Sequence, residues 1–176
     1  MTEKEFSEAC TRIKLLLFDC DGVLTDGRIV LGSDGMELKF FSTKDGMGIC
    51  LWRREGFLCG CITGRRSHGL EKRAKELGFD ELHQGITDKR SVLQEIMQRR
   101  SLQAQEVAFV GDDLNDMPMM KKIGLFFAAG DAHIEVKKRA SRVLNTCGGQ
   151  GAVREAIDLL LLHKGLMEKI VASFFE

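Results

Sequence analysis

The chain alternates between short, unbroken apolar runs and longer stretches in which apolar residues return every three or four positions. Leu15-Leu16-Leu17-Phe18, preceded by Ile13, is such a run with no polar interruption. A run of this kind predicts a strand covered on both faces, as in a parallel α/β sheet. Phe57–Ile62 and Val107-Ala108-Phe109-Val110 read the same way, and Glu81–Gln84, Leu125–Ala128 and Arg142–Leu144 are shorter strands. Between them the period changes to that of a helix. Asp45–Arg54 is helical and stops at Gly56. Ser67–Leu77 carries Leu70, Ala74 and Leu77 on one face and stops at Gly78. Asp88–Arg100 repeats the pattern through Val92, Leu93, Ile96 and Met97. Met117–Lys122 is a short helix with Pro118 in its first turn, and Val153, Ile157, Leu160 and Leu161 form the inward face of the last helix. Strands alternating with helices predict an α/β fold of three layers, a parallel sheet wound on both sides.

One segment departs from this rhythm. Two β-prone runs flank Gly32-Ser33-Asp34-Gly35, so residues 28–41 predict a small β-hairpin, too short to be a separate lid. No repeat or linker divides the rest, and 1–176 reads as a single domain. Beyond a complete α/β count lies a tail, 163–176, with apolar Leu166, Ile170, Val171, Phe174 and Phe175. Its apolar residues are suited either to its own domain or to a neighbouring subunit.

Composition changes the picture only by exclusion. Lys and Arg number 26 and so do Asp and Glu, so no overall field favours nucleic acid or an anionic membrane. The start is polar, without a signal core, and no apolar run is long enough to span a bilayer, which makes the cytoplasm the expected location. The six cysteines form no C-x-x-C pair and read as free thiols. Cys20 lies between two acids, but at a strand end its side chain is expected to point away from theirs.

The candidate chemistry sits where strands end. Asp19 and Asp21 follow the first strand, Thr63 with Gly64 and Arg65 the second, and Asp112, Asp113, Asn115 and Asp116 the strand at 107–110, with Lys89 opening the helix after the strand at 81–84. In a parallel sheet all these ends share one rim, where ligands bind. Paired carboxylates repel each other, which a bound cation relieves, and the all-oxygen donor set suits Mg²⁺ rather than zinc. Such a site fits phosphoryl transfer. Asp19 is placed to attack phosphorus, Asp21 to move the proton, and Lys89, Thr63 and the amides of Gly22 and Gly64 to hold phosphoryl oxygens.

The order D-x-D-G, Thr63, Lys89, G-D-D-x-x-D resembles that of the haloacid dehalogenase-like phosphatases, a Rossmann-like fold. The resemblance implies Asp19 as nucleophile, Asp21 as acid/base, and Mg²⁺ held by Asp19, the carbonyl of Asp21 and Asp112, with Asp113 and Asp116 in support. It implies Thr63 and Lys89 on the phosphoryl group. Over nearly the whole chain, Ile62-Thr63-Gly64-Arg65, His83-Gln84-Gly85, Gly111–Asp116 and Gly148–Glu155 resemble the 3-deoxy-D-manno-octulosonate 8-phosphate (KDO 8-P) phosphatases. These are homotetramers without a cap domain, whose hairpins join in a central barrel. That implies a small-molecule sugar acid phosphate as substrate, with no nucleic acid and no membrane as partner, and a role in lipopolysaccharide precursor synthesis. The family's substrate strip falls on Ser42, Thr43, Lys44, Asp45 and Gly46, with Asp21, Gly64, Arg65, Arg73 and Lys89 completing the pocket. Gly148-Gly149 and the tail are candidates for covering a neighbour's site. The family usually has Val-Arg at Thr43-Lys44, and a basic residue at Cys50 is common. A lysine does not reproduce the two-pronged contact of a guanidinium, so a nine-carbon acid such as deaminoneuraminate 9-phosphate is the competing substrate. A receiver-like module is disfavoured because no acid ends the second strand. A noncatalytic oligomerisation domain is expected to lack one of the key acids, and none is missing here.

Overall fold

The structure, a computed structural model, describes residues 1–175. It begins with helix α1 (Glu3–Arg12), which the periodicity reading leaves unassigned. The signals are nonetheless local. Thr2 and Glu5 form a reciprocal capping box, and Phe6, Ala9 and Cys10 bury one face. Strand β1 (Leu15–Phe18) follows, then the hairpin strands β2 (Val30–Leu31) and β3 (Glu37–Leu38), helix α2 (Thr43–Arg54) and strand β4 (Leu58–Thr63). Helix α3 (His68–Leu77), strand β5 (Glu81–Gln84), helix α4 (Lys89–Arg99) and strand β6 (Val107–Gly111) complete the first half of the winding. After β6 come strand β7 (Leu125–Ala128), helix α5 (Ile134–Lys137), strand β8 (Arg142–Val143), and helices α6 (Ala152–His163) and α7 (Met167–Ala172).

The main sheet has the order β5-β4-β1-β6-β7-β8, and every pairing in it is parallel. The chain therefore winds outward from β1 in both directions, as the alternating pattern requires. All four residues of β1 are fully buried, between β4 (Leu15 opposite Leu58) and β6 (Leu15 opposite Val107). Burying each such side chain contributes about 1.5–3 kcal/mol, which makes β1 the axis of the core. Its position in the middle of the sheet also centres the acids that follow it.

Three expectations are refined. Residues 114–122 form a run of 3₁₀ turns around Pro118 rather than a short helix from Met117. The hairpin pairs over only two residues per strand, Val30 with Leu38 and Leu31 with Glu37. Along it, exposure alternates: Leu38 and Phe40 point outward while Glu37 and Lys39 turn in. Part of the tail packs on its own domain, while Val171, Phe174 and Phe175 stay exposed. Ile170 of α7 is buried, Arg54 donates to Ser173 Oγ at 3.1 Å, and the Arg54 guanidinium lies 5.5 Å from the centre of the Phe174 ring.

Gly148-Gly149, a candidate cover for a neighbour, packs against its own chain's turn after β1. Gly149 N donates to Val23 O at 2.9 Å, and a Cβ on Gly148 would lie 1.9 Å from the Gly22 carbonyl oxygen. Backbone against backbone leaves no room for a side chain. No helix among the described residues is long and apolar enough to cross a membrane.

Candidate active site

Asp19 is still tied to the sheet, its amide donating to Val110 O at 3.0 Å, while its Oδ1 accepts from Cys20 N at 2.7 Å. The chain then turns sharply, with Asp21 extended and Gly22 at φ 85°. Gly22 serves twice. It adopts a left-handed conformation, and a Cβ there would lie 2.0 Å from Asp112 Oδ2. The missing side chain lets the acid at the end of β6 reach over the turn that follows β1.

Beneath these acids lies Lys89, the first residue of α4 and only 3% exposed. Its Nζ bridges Asp19 Oδ2 at 2.7 Å and Asp116 Oδ1 at 2.6 Å. Asp116 is fully buried, and its other oxygen accepts from the Asp112 amide at 3.0 Å. Nucleophile candidate, lysine and metal-ligand candidate are thus held in one chain of charge-assisted bonds.

The electrostatics are those of crowded acids. Burial, then Asp116, pushes the Asp19 carboxyl above its usual range, against the pull of Lys89. Asp112 is pushed up to about 8 by burial, then by Asp116, Asp19 and Asp113. Burial pulls Lys89 down, but Asp116 and Asp19 outweigh it and the net shift is upward. A lysine this well paired stays charged.

Asp19, Asp21, Thr63, Gly64, Arg65, Asp112 and Asp113 line one cleft of about 290 Å³ together with Asn115 and Gly27. Lys89 and Asp116 do not line it but are joined to it through Asp19 and the Asp112 amide. Over the cleft, Asp21 Oδ1 is ion-paired with Lys39 of the hairpin, while Asp21 Oδ2 is buried and makes no hydrogen bond. Lys39 also lies 3.2 Å from Glu37, Glu37 accepts from Arg65 at 2.6 Å, and Arg65 Nε lies 3.8 Å from Asp21 Oδ2. Neither Glu37 nor Lys39 is among the sequence-derived candidates. The one signal for them is the alternation Glu37-Leu38-Lys39-Phe40, which puts both charges on one face of a strand.

The strip Ser42–Gly46 and Arg73 is not brought to this cleft within the chain. Ser42 caps α2 by accepting from Lys44 N at 3.2 Å, and Thr43 is exposed. Arg73 lies across the N-terminal turn of α2, close enough that a Cβ on Gly46 would meet its Nη2 at 2.3 Å. Lys44 lines a larger hollow, about 400 Å³, with Gln150, Arg154, Asp158 and Met167. That hollow holds none of the acids of the cleft, and the chemistry belongs to the smaller one.

Asp45 is 2% exposed and accepts from Arg154 N at 2.8 Å, capping α6, whose own cap position is Gly151. Burial pushes its carboxyl up to about 6, against the amides of Arg154, Val153 and Gly151. A folded value above the ordinary 3.8 stabilises the fold below the ordinary value, and that contribution is lost as pH rises through about 6. The stability of the wild type relative to Asp45→Asn is therefore expected to fall by about 2 kcal/mol between roughly pH 4 and pH 7. Urea midpoints across that range test this, and a pH-independent difference would refute it.

Cys20 is fully buried, and burial followed by the Asp21 charge pushes its thiol far up. A thiol held protonated is inert.

Residues 78–157 match the family model of haloacid dehalogenase-like hydrolases. The 3-deoxy-D-manno-octulosonate 8-phosphate phosphatase KdsC of Escherichia coli K12 is 42% identical over 157 residues, covering 89% of this chain and 84% of that one. Among solved structures, the phosphatase of the same name from Yersinia pestis superimposes with a TM-score of 0.91 at 41% identity, covering 93% of this chain and 89% of that one. The Moraxella catarrhalis phosphatase, in complex with magnesium, phosphate and KDO, gives 0.95 at 31% identity, covering 98% and 99%.

Proposed function

Because this chain belongs to the haloacid dehalogenase-like phosphatases, in the family of the KDO 8-P phosphatases, we propose that it hydrolyses KDO 8-phosphate to KDO and inorganic phosphate. The observation that carries this reading is the convergence of Asp19, Asp21, Thr63, Arg65 and Asp112 on a single cleft above a buried Lys89.

The residues fit a magnesium ion. Carboxylate oxygens of Asp19, Asp112 and Asp116 lie within 4.8 Å of one another. Burial first, then the charges of Asp116, Asp19 and Asp113, push Asp112 up, and a bound cation would relieve that crowding. Asp19, Asp112 and the Asp21 carbonyl would hold the ion. Asp116, with both oxygens engaged by Lys89 and the Asp112 amide, would support it, as would Asp113. When bound, Mg²⁺ offsets the repulsion between the carboxylates and a phosphate dianion.

The chain's own residues supply the rest. The Asp19 carboxylate, oriented by Cys20 N and Lys89, attacks phosphorus, and the bond to the sugar oxygen breaks as an aspartyl-phosphate forms. Asp21, through its unbonded Oδ2, delivers a proton to the leaving oxygen. It then takes a proton from the water that attacks the aspartyl-phosphate, which releases phosphate and restores Asp19. Thr63, 2% exposed at the end of β4, and Lys89 hold the phosphoryl oxygens.

Assembly as a homotetramer through the hairpins is supported by its outward apolar residues: Leu31 is 65% exposed, Leu38 45% and Phe40 62%. In that assembly the exposed Thr43 and Lys44 of the strip would face a neighbouring copy's cleft, while Asp45 and Gly46 stay buried in their own chain. We place the reaction in the cytoplasm, in lipopolysaccharide precursor synthesis, and the six free thiols fit a reducing compartment. Phosphate release with Mg²⁺ from the eight-carbon and nine-carbon 3-deoxy sugar acid phosphates and simple hexose phosphates tests the substrate. The expected result is at least about tenfold higher kcat/KM for the eight-carbon ester. Preference for the nine-carbon acid would keep the chemistry and overturn the substrate, pointing to Lys44 and Cys50.

A further inference from the structure

Asp21 has two oxygens with different surroundings. Oδ1 is ion-paired with Lys39 and sits 3.4 Å from Thr25 Oγ1, while Oδ2 is buried without a hydrogen bond. A carboxylate that must face a leaving group needs one oxygen anchored and the other free. We propose that Lys39 is the positioning residue for this acid/base, a role that rests on the phosphatase reading of Asp21.

Four observations carry it. The Lys39 side chain is 3% exposed, although it comes from a two-stranded hairpin whose other face is open to solvent. Its Nζ lies between Asp21 and Glu37, and Arg65 closes the circuit by binding Glu37 at 2.6 Å and approaching Asp21 at 3.8 Å. The four charges alternate in sign and sum to zero, so the ring adds no net charge to a cleft that must admit a dianion. Glu37 Oε1 is also buried without a hydrogen bond, 3.2 Å from Lys39, which gives the ammonium a second partner when Asp21 carries the proton. Lys39 can thus steady Asp21 through both halves of the reaction without leaving its place. The same strand turns Leu38 and Phe40 outward, so one face serves the site while the other is free for assembly.

The test compares Lys39→Met with wild type, with Mg²⁺, on two aryl esters that carry no sugar. The leaving group of p-nitrophenyl phosphate departs with little help from an acid, whereas that of phenyl phosphate, a phenol of pKa about 10, needs the proton. kcat/KM reports the steps up to phosphoryl transfer to Asp19. Lys39→Met is expected to lower kcat/KM for phenyl phosphate by on the order of tenfold or more and for p-nitrophenyl phosphate by less than about threefold. Lys39→Arg should recover most of the difference. An equal fall on both esters, or none on either, would overturn the assignment, the first result pointing to structural damage. A role in binding the sugar acid would leave both aryl esters untouched. A wild type that releases no phosphate from KDO 8-phosphate or from either ester would remove the phosphatase reading itself, and this role with it.

Discussion

Asp19→Asn is expected to lower phosphate release by at least about 10³-fold while leaving the fold intact. The substitution keeps the shape of a side chain that is 5% exposed and still accepts from Cys20 N. It removes the nucleophilic oxygen, and no other group replaces it. Asp21 lines the same cleft, but the proposed mechanism gives it the proton, and Asp116 is fully buried and paired with Lys89. The Asn amide turns an NH2 towards one of the two donors that Asp19 accepts from, Cys20 N or Lys89 Nζ, which costs stability. Asp116 keeps Lys89 paired, however, and the lost charge relieves part of the crowding that pushes Asp19 and Asp112 up. Measuring phosphate release and thermal midpoint on the same preparations separates the two effects. Activity within tenfold of wild type would move the nucleophile elsewhere.

The second large effect is expected at Lys89. Here stability and catalysis should fall together. Lys89 is the shared partner of two buried carboxylates, at 2.7 Å from Asp19 and 2.6 Å from Asp116. Lys89→Met keeps most of the aliphatic stem but removes the ammonium, which lies 5.6 Å from the centre of the Phe109 ring, and strands both acids. Breaking a buried pair of this kind costs about 3–5 kcal/mol, or a drop in thermal midpoint on the order of 10 °C for a chain of this size. The deficit should grow from acid to neutral pH, since protonating the stranded acids relieves it. Loss of the cation facing the phosphoryl group should add a fall in kcat of about 10²-fold or more. The double variant Lys89→Met/Asp116→Asn should regain part of the stability and none of the activity, because the two roles of the lysine have different partners. A single variant as stable as wild type would show that the ion-pair chain does not hold the site together.

Much of this site is legible in the linear chain because the fold converts local strings into neighbours. A run such as Leu15–Phe18 declares a buried parallel strand, and parallel strands place their ends along one rim. Asp19, Asp21, Thr63 and Asp112 are therefore candidates before any contact is known, and the structure gathers all four in one cleft. Gly22 follows the same logic, since the turn it marks lies next to the acids in sequence. The strand and helix assignments from Leu15 to His163 largely hold for the same reason: periods of two and of three to four are properties of a single element.

What the tertiary structure alone decided concerns partners distant in sequence. Asp45 stands in the apparent substrate strip, yet it caps a helix more than a hundred residues away. Gly148 owes its lack of a side chain to the carbonyl of Gly22. The apolar tail suits its own domain or a neighbour; Ile170 packs on its own domain, while Val171, Phe174 and Phe175 stay exposed. Lys39 reads as one more exposed lysine in a short hairpin until the fold of residues 22–39 brings it back onto Asp21. In each case residue type and spacing set what a side chain is able to do. Only the three-dimensional path of the chain sets which group it meets, because burial and charge pairing act through space and carry no trace of sequence separation.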